Sequence, residues 1–198
     1  MPHARPTLAL AALAVAAVCG AARAADTVWT TDLVHSRAEF RISHLIVSKV
    51  WGHIGIKSVT LVTTPAGMPS SIDAVLSAAN LDTDNRERDA DLRSAAYLDV
   101  ERYPTMTFAS RSVVATGKDG FRAAGDLTIR GITKPVVLVG RIEGKIPDPA
   151  GERVGYSAQT TIDRRDFGIT DARLSPAGIP LVGNDVEIGL TLEATRPK

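Results

Sequence analysis

Apolar and polar residues alternate along most of the chain, with the period of two that is typical of half-buried β-strands. From Val186 to Glu193, apolar residues occupy every even position, and polar residues or glycine occupy the others. Similar segments lie near residues 27–31, 36–43, 53–64, 71–81, 107–109, 121–130, 142–146 and 154–163. The pattern predicts roughly eight or nine strands, joined by short turns that are rich in glycine and proline.

One segment in the middle of the chain breaks this alternation. Residues 84–98 are rich in helix-forming residues, and the apolar residues at 92–96 have helical spacing. An aspartate or threonine at 82–84 is suited to cap the start of a helix there. We therefore predict one α-helix over 84–98, with its alternating charges forming a solvated face of local ion pairs. Residues 43–50 fit a helix and a strand equally well.

Many strands, one helix and no internal repeat indicate a single all-β, antiparallel domain over residues 25–198. Closure into an eight-stranded barrel is favoured because a closed sheet leaves no strand edge exposed; a tightly curled sandwich is the alternative. Charged residues within the predicted strands, such as Arg122, Asp126 and Glu187, argue against a barrel whose outer face contacts lipid. The expected barrel is apolar inside and charged outside.

The first 24 residues have the pattern of a secretory signal peptide. Arg5 precedes an uncharged apolar run over Leu8–Cys19, and the Ala-Arg-Ala sequence at 22–24 provides small residues for cleavage after residue 24. Even when it is extended to Ala22, the uncharged stretch from Leu8 has 15 residues, which is shorter than the ~20 that a membrane-spanning helix needs. Removing 24 of the 198 residues leaves 174; two arginines and no acidic residue are lost, so the formal net charge changes from +1 to −1. The only cysteine is also removed, so we expect a mature chain without a disulfide or a thiolate metal ligand.

The charge balance excludes further classes of function. The chain has 23 Lys and Arg residues against 22 Asp and Glu residues, without the basic excess of nucleic-acid-binding proteins. The charged cluster at 82–93 lacks the apolar enclosure that catalytic carboxylates need, and no serine lies in a G-x-S-x-G motif. We therefore predict a protein that is not an enzyme and does not bind nucleic acid.

Three histidines, His35, His44 and His53, are spaced nine residues apart. On a continuous strand, a step of nine residues places successive histidines on opposite faces, which disfavours a shared metal site. His44 is in phase with Phe40 and Ile42, so we predict that it faces into the barrel as a polar ligand contact. A metal- or haem-dependent redox module that uses these histidines is the alternative class of function.

Several strings in the sequence resemble the YceI family. The match is densest over residues 125–136, with the sequence Gly-Asp-Leu-Thr-Ile-Arg-Gly-Ile-Thr-Lys-Pro-Val. Other matching strings are His35-Ser36 with Phe40, Ser43-His44-Leu45, Val47-Ser48-Lys49-Val50 with Gly52, Arg88-Asp89 with Leu92-Arg93-Ser94, Tyr97-Leu98-Asp99, Tyr103-Pro104 with Thr107-Phe108, Arg165-Asp166-Phe167-Gly168 and Asp185-Val186 with Ile188. They follow in order across nearly all of residues 27–194. His53 and Asp91 depart from the family pattern, at positions expected to flank the barrel mouth.

The resemblance implies a lipocalin-like barrel in the bacterial periplasm that encloses a long isoprenoid chain, such as a polyprenyl lipid or a quinone tail, as a ligand and without a cofactor. Strand parity then selects the inward-facing residues that are candidates for ligand contact, in addition to His44: Phe40, Ile42, Phe108, Leu127, Ile129, Leu138, Ile142, Tyr156, Ile162, Ile188 and Leu190. In the densest matching string, Gly131 is expected to relieve a tight turn while Arg130 and Lys134 point outward.

These observations lead to three hypotheses. The first is a carrier or sequestering protein for isoprenoid lipids, monomeric or homodimeric, that contacts a membrane transiently. The second is the histidine-based redox module. The third is an interaction module that docks to a membrane cytochrome.

Overall fold

The computed structural model describes residues 26–149 and 151–197, so the predicted signal peptide lies outside the described residues. Within those ranges the chain forms nine strands, one α-helix and one short 3-10 helix. The strands are β1 (Thr27–Thr31), β2 (Arg37–His44), β3 (Ser48–Thr63), β4 (Pro69–Asp82), β5 (Thr105–Thr116), β6 (Gly120–Ile129), β7 (Ile132–Asp148), β8 (Gly151–Asp163) and β9 (Val182–Pro197). Helix α1 spans Arg86–Arg93 and the 3-10 helix spans Arg164–Phe167. In this described part of the chain, no helix has the length and apolar character needed to cross a bilayer.

Eight strand positions close into a ring. Consecutive strands from β2 to β9 pair in antiparallel order, and β9 pairs with β2 to complete the circle. In the closing pair, Phe40 lies opposite Ile188. The predicted eight-stranded antiparallel barrel is therefore confirmed, and it has the up-and-down order in which chain neighbours are also sheet neighbours.

The ninth strand extends the wall without adding a position to the ring. β1 pairs with the C-terminal parts of β3 and β9, the same two strands that flank β2. β1 and β2 therefore lie one after the other along a single position of the ring. The loop at 32–36 between them is held by Ser36. Its hydroxyl donates to the carbonyl of Asp32 (2.6 Å) and accepts the amide of Glu193 (3.0 Å).

The two ends of the barrel differ in their contents. The β2–β3 hairpin, α1 and the 168–181 loop lie at one end, called the mouth here, and the β3–β4 and β5–β6 hairpins lie at the other end, called the floor. Trp29, Phe121 and Tyr156 are buried at the floor, and the rings of Phe121 and Tyr156 meet edge to face at 6.4 Å. The indole of Trp29 donates to the hydroxyl of Thr63 (2.8 Å), and the hydroxyl of Tyr156 donates to the carbonyl of Gly67 (2.8 Å). Side chains therefore fill the floor end, with these two polar groups satisfied.

Helix α1 is shorter than the sequence predicts. Its N-cap is Asn85, whose side chain accepts the amide of Arg88 at 3.0 Å, so the predicted cap at 82–84 is wrong. The helix ends at Arg93, because the following residues turn back on it: the amide of Leu98 donates to the carbonyl of Leu92 at 3.0 Å. Residues 43–50, left open between helix and strand, form the end of β2, a turn and the start of β3.

Candidate functional site

The mouth half of the barrel contains an apolar cavity of about 360 Å³. Its wall comes from the inward faces of the strands, because alternate residues of a strand face the same side. On β9 this alternation places Val186, Ile188, Leu190 and Leu192 along the cavity, as the even-numbered apolar pattern predicts. A cavity of this size lies within the range of small-molecule sites, and its wall offers dispersion contacts and few polar contacts.

Ten of the twelve residues selected from the sequence line this cavity: Phe40, Ile42, His44, Phe108, Leu127, Ile129, Leu138, Ile162, Ile188 and Leu190. Ile142 and Tyr156 do not belong to its lining. They are register partners on β7 and β8, and they pack into the filled floor. Both face inward as parity requires, but they lie too far along their strands to reach the cavity.

The lining residues that were not selected from the sequence are of two kinds, those on strands and those that cover the mouth. Ile72, Ala74 and Leu76 on β4 show the same alternation as the chosen residues, so a fuller use of parity would have identified them. The second kind covers the cavity from the mouth and includes Leu92, Leu98, Phe167 and Ile169. No strand pattern marks these residues, because they belong to α1, the 3-10 helix and the turns that follow them.

Charged side chains of α1 hold this helix in place over the mouth of the barrel. The buried carboxylate of Asp89 accepts both the amide of Thr83 (2.9 Å) and its hydroxyl (2.6 Å), and Arg88 donates to the hydroxyl (2.8 Å) and carbonyl (2.6 Å) of the same threonine. The predicted solvated face of local ion pairs is therefore wrong for these residues. Their hydrogen bonds fix the connection between β4 and the helix instead, because closing the barrel end buries this side of α1.

Arg130 joins the two segments that cover the mouth. Its guanidinium donates to the carbonyl of Ala95 (2.8 Å) and to the carbonyl of Gly168 (2.8 Å). The expectation that Arg130 simply points outward is therefore wrong. Gly131 does relieve a tight turn: its φ is +72°, and a Cβ there would lie 2.5 Å from the ring of Tyr103.

Polar side chains form the rim of the cavity. His44, Arg88, Asp91, Tyr97 and Arg173 line it, and both Asp91 and Arg173 also reach solvent. This combination marks the place where the cavity opens. Of the two departures from the family pattern, Asp91 therefore lies at the mouth. The other departure, His53, is exposed on the outer wall and is not part of the lining.

Tyr97 and Arg173 are joined through Asp171. The hydroxyl of Tyr97 donates to the carboxylate of Asp171, and Nε of Arg173 donates to the same carboxylate at 3.0 Å. The hydrogen bond from Tyr97, aided by Arg173, lowers the pKa of Asp171. Burial and the nearby carboxylate raise the pKa of Tyr97, so the hydroxyl keeps its proton as a donor at neutral pH.

Arg164 is buried beside the cavity and contacts only backbone carbonyls among its described hydrogen-bond partners. It donates to Gly183 (2.8 Å), Ile169 (2.8 Å) and Asp171 (2.6 Å). These three bonds tie the 168–181 loop to the start of β9, because a planar guanidinium can reach several carbonyls at once. The arginine therefore sets the shape of the mouth.

The three histidines do not come together. His35 lies in the loop between β1 and β2, His44 lies at the opposite end of β2, and His53 is on the outer wall. Asp32, His35 and Glu193 do place possible ligand atoms within 4.8 Å of one another. However, Arg153 already contacts both carboxylates, and its distance to Asp32 is 3.0 Å. A guanidinium therefore balances the negative charge of this cluster.

Comparisons with known proteins agree with this architecture. A family model described as a YceI-like domain matches residues 29–194. A UPF0312 protein of Azotobacter vinelandii is 36% identical over 198 residues, covering 97% of this chain and 98% of the relative. The crystal structure of the YCEI protein of Campylobacter jejuni has a TM-score of 0.69 and 26% identity, over 79% of this chain and 90% of that chain.

A third comparison extends the likeness in fold. A polyisoprenoid binding domain from Saccharophagus degradans has a TM-score of 0.61 at 14% identity, over 85% of this chain and 98% of that domain. At such low identity the likeness shows the shared barrel. The family match over most of the chain, together with the closed eight-position barrel, shows that this protein belongs to the YceI family.

Proposed function

We propose that the protein binds a long isoprenoid lipid in its barrel cavity and carries or sequesters that lipid in the periplasm. The observation that carries the proposal is an apolar cavity of about 360 Å³ that ends at a polar rim. Such a site suits a ligand with a long hydrocarbon chain and a small polar end. The structural likeness to a domain described as polyisoprenoid binding supports the same class of ligand.

Hydrocarbon burial is sufficient to hold such a ligand. Each buried methylene contributes roughly 0.8 kcal/mol, so about twenty carbons would give a gross term of ~15 kcal/mol before the costs of ordering and desolvation. Binding of this kind needs no distinctive polar residue. The lipid is then a ligand and not a cofactor, and the protein is a binding protein and not an enzyme.

Two isoprenoid classes are candidates for this ligand, a polyprenyl lipid and a quinone tail. They share the branched hydrocarbon chain that would contact residues such as Phe108, Leu127 and Leu190. They differ at the polar end, which would lie near His44 and Asp91 at the rim. The periplasmic location follows from the predicted signal peptide, which agrees with a site that handles membrane lipids outside the cytoplasm.

Extraction and mass spectrometry of the freshly purified, exported protein test the proposal. We expect a co-purified lipid, in native spectra and in organic extracts, whose mass series is separated by isoprene units. The absorption of a quinone ring would distinguish a quinone from a polyprenyl lipid. A protein that carries no such lipid and takes up neither a polyprenyl lipid nor a quinone after exchange would refute the proposal.

A matched pair of variants tests whether the ligand occupies the cavity. Ala74 lines the cavity, whereas Ala109, on the neighbouring strand, is exposed on the outer wall. Ala74→Phe adds a ring inside the barrel, and Ala109→Phe adds the same ring outside. We expect the first variant to lose most of its bound lipid and the second to retain it. Equal lipid content in the two variants would place the ligand elsewhere.

A further inference from the structure

The tip of the β2–β3 hairpin exposes two apolar side chains beside the cavity opening. Ile46 is 75% exposed and Val47 is 81% exposed. The hairpin is continuous with the cavity wall, because His44 before the turn and Val50 after it both line the cavity. These apolar side chains therefore project from the rim through which a ligand would enter or leave.

The backbone of this turn is strained. Leu45 has a φ of +50° and Ile46 a φ of +58°. This region is uncommon for any residue other than glycine, and it is especially unfavourable for a β-branched residue such as Ile46. Hairpin turns with two positive φ values favour Asn-Gly or Asp-Gly, and the β6–β7 turn of this protein does place Gly131 at such a position, with φ +72°. Barrel packing does not require the side chains of Ile46 and Val47, since both are exposed. The strain points to a role for an apolar tip.

A third exposed apolar residue, Leu174, lies on the loop that faces the hairpin. The amide of Leu45 donates to the carbonyl of Leu181 (3.0 Å), and the amide of Leu181 donates to the carbonyl of Arg173 (3.0 Å). Leu174, which follows Arg173, is exposed. The hairpin and the 168–181 loop are thus hydrogen-bonded together, and each presents an apolar residue to solvent.

The outer wall below the tip has the composition of a membrane interface. Trp51 is 56% exposed, and the guanidinium of Arg41 lies 5.1 Å from the centre of its ring. Arg41 and Lys49 share a single carboxylate, that of Glu187, which leaves one positive charge in this group. Trp51 follows Val47 by four residues, about 13 Å along an extended strand. This spacing would place the tryptophan and the cations among lipid headgroups when the tip reaches the acyl boundary.

We propose that the tip formed by Ile46, Val47 and Leu174 is a membrane-docking surface that inserts shallowly into an anionic bilayer, with Trp51, Arg41 and Lys49 at headgroup depth. Docking in this orientation turns the cavity mouth toward the bilayer, so that a lipid chain can move between the cavity and the bilayer with little exposure to water. The purpose of this docking, the transfer of a lipid, rests on the proposed function. The exposed apolar residues, the strained turn and the excess positive charge support the surface itself.

Vesicle flotation of the exported protein tests this surface. The vesicles contain phosphatidylethanolamine and phosphatidylglycerol, and vesicles of phosphatidylcholine alone provide the comparison without net charge. Ile46→Asn with Val47→Ser, called the tip variant, removes the two apolar side chains that the hairpin contributes to this surface. Asparagine tolerates the positive φ, so the variant is expected to fold. The matched control is Val34→Ser with Ile146→Ser, because these residues are 88% and 59% exposed but lie away from the mouth.

We expect the wild-type protein and the control to float with anionic vesicles, and the tip variant to partition at least about tenfold less. Binding should also shift the emission of exposed Trp51 to shorter wavelength and allow quenching by brominated acyl chains, whereas buried Trp29 stays unaffected. Equal flotation of the two variants, or no flotation of the wild-type protein, would overturn the inference. A dimer that the tip variant dissociates, without vesicle binding, would assign the tip to a protein interface and would also overturn it.

The lipid content of the same samples separates the two proposals. The tip variant should retain its cavity lipid but deliver it to vesicles more slowly than the control does. A protein that docks but holds no isoprenoid refutes the proposed function and leaves the docking surface standing. A protein that holds the lipid but does not dock refutes the docking surface alone.

Discussion

The ring of Phe40 lies against Gly52, its register partner on β3, where a side chain of any size would collide with it. A Cβ at position 52 would lie 2.5 Å from Cζ of Phe40 and 2.7 Å from Cγ2 of Thr83. Phe40 lines the cavity, so the absence of a side chain at 52 determines how far this ring extends inward. The capacity of the cavity therefore depends on one glycine in the barrel wall.

Replacing Gly52 with alanine should push Phe40 into the cavity. We expect a loss of about 1–3 kcal/mol in the free energy of unfolding, as for other overpacked interiors, together with a smaller amount of bound lipid. Urea denaturation and lipid extraction measure the two effects. Gly189→Ala on β9 is the matched control because nothing lies within 4 Å of a Cβ there. A variant at 52 that matches this control would contradict the packing argument.

Replacing Thr63 with valine should destabilise the floor without affecting the cavity. The change leaves the indole N–H of buried Trp29 without its partner, at a cost of about 1–3 kcal/mol in the free energy of unfolding. Thermal or chemical denaturation measures this loss. Thr60→Val, at an exposed position of the same strand, should cost much less. We expect both variants to bind lipid as the wild-type protein does, since neither residue lines the cavity.

The stability of the barrel should fall in acid, partly through Asp32. Hydrogen bonds from His35 and from Arg153 hold the pKa of this carboxyl well below its usual range. Because the folded-state pKa lies below the unfolded value of about 4, the stabilisation is complete above that value and is lost as the pH falls towards the folded-state pKa.

Asp32→Asn should therefore be less stable than the wild-type protein at neutral pH and should lose less stability below about pH 4. Urea midpoints measured from neutral pH into acid provide the comparison. Asp73→Asn, at an exposed carboxylate on β4, is the control, and we expect it to follow the wild-type curve. An Asp32→Asn curve parallel to that of the wild-type protein would show that this cluster does not link stability to pH.

Ile46→Asn alone should stabilise the protein. Asparagine adopts a positive φ at lower cost than a β-branched residue, so we expect a gain of about 1 kcal/mol in the free energy of unfolding. Val47→Asn, at the next position, has no positive φ to relieve and should give no such gain. Chemical denaturation of both variants makes the comparison. A neutral or destabilising Ile46→Asn would remove the strain argument for the apolar tip.

The alternation of the sequence determined which residues face the interior of the barrel. Leu127 and Ile129 on β6 face inward and are buried, as predicted, because a pleated strand directs alternate side chains to opposite sides. The same rule fails within β7, where the register shifts between Ile142 and Gly144, and Ile146 is exposed. A β-bulge adds one residue to one strand, and the hydrophobic pattern alone does not reveal where that occurs.

The alternation along a strand also shows whether a residue faces inward or outward, but it does not show the height of that residue, that is, its position along the barrel axis. Phe108 and Tyr156 are equally inward by sequence, yet one lines the cavity and the other fills the floor. Height depends on how the strands are staggered when the sheet closes, which is a property of the whole ring. The sequence therefore could not divide the twelve candidate residues between the cavity and the floor.

The sequence by itself determined an antiparallel all-β domain with an apolar interior, because strand alternation is a local property of the chain. It favoured closure into a barrel over a sandwich, and the pairing of β9 with β2 decided for the barrel. Only the tertiary structure decided where that interior is empty and how it opens. At the mouth, Tyr97 contacts Asp171 and Arg173, which lie more than seventy positions further along the chain. Arg130 contacts the carbonyls of two separate segments, at Ala95 and Gly168. Such contacts form only when the covering segments pack on the closed ring, so no local pattern encodes them.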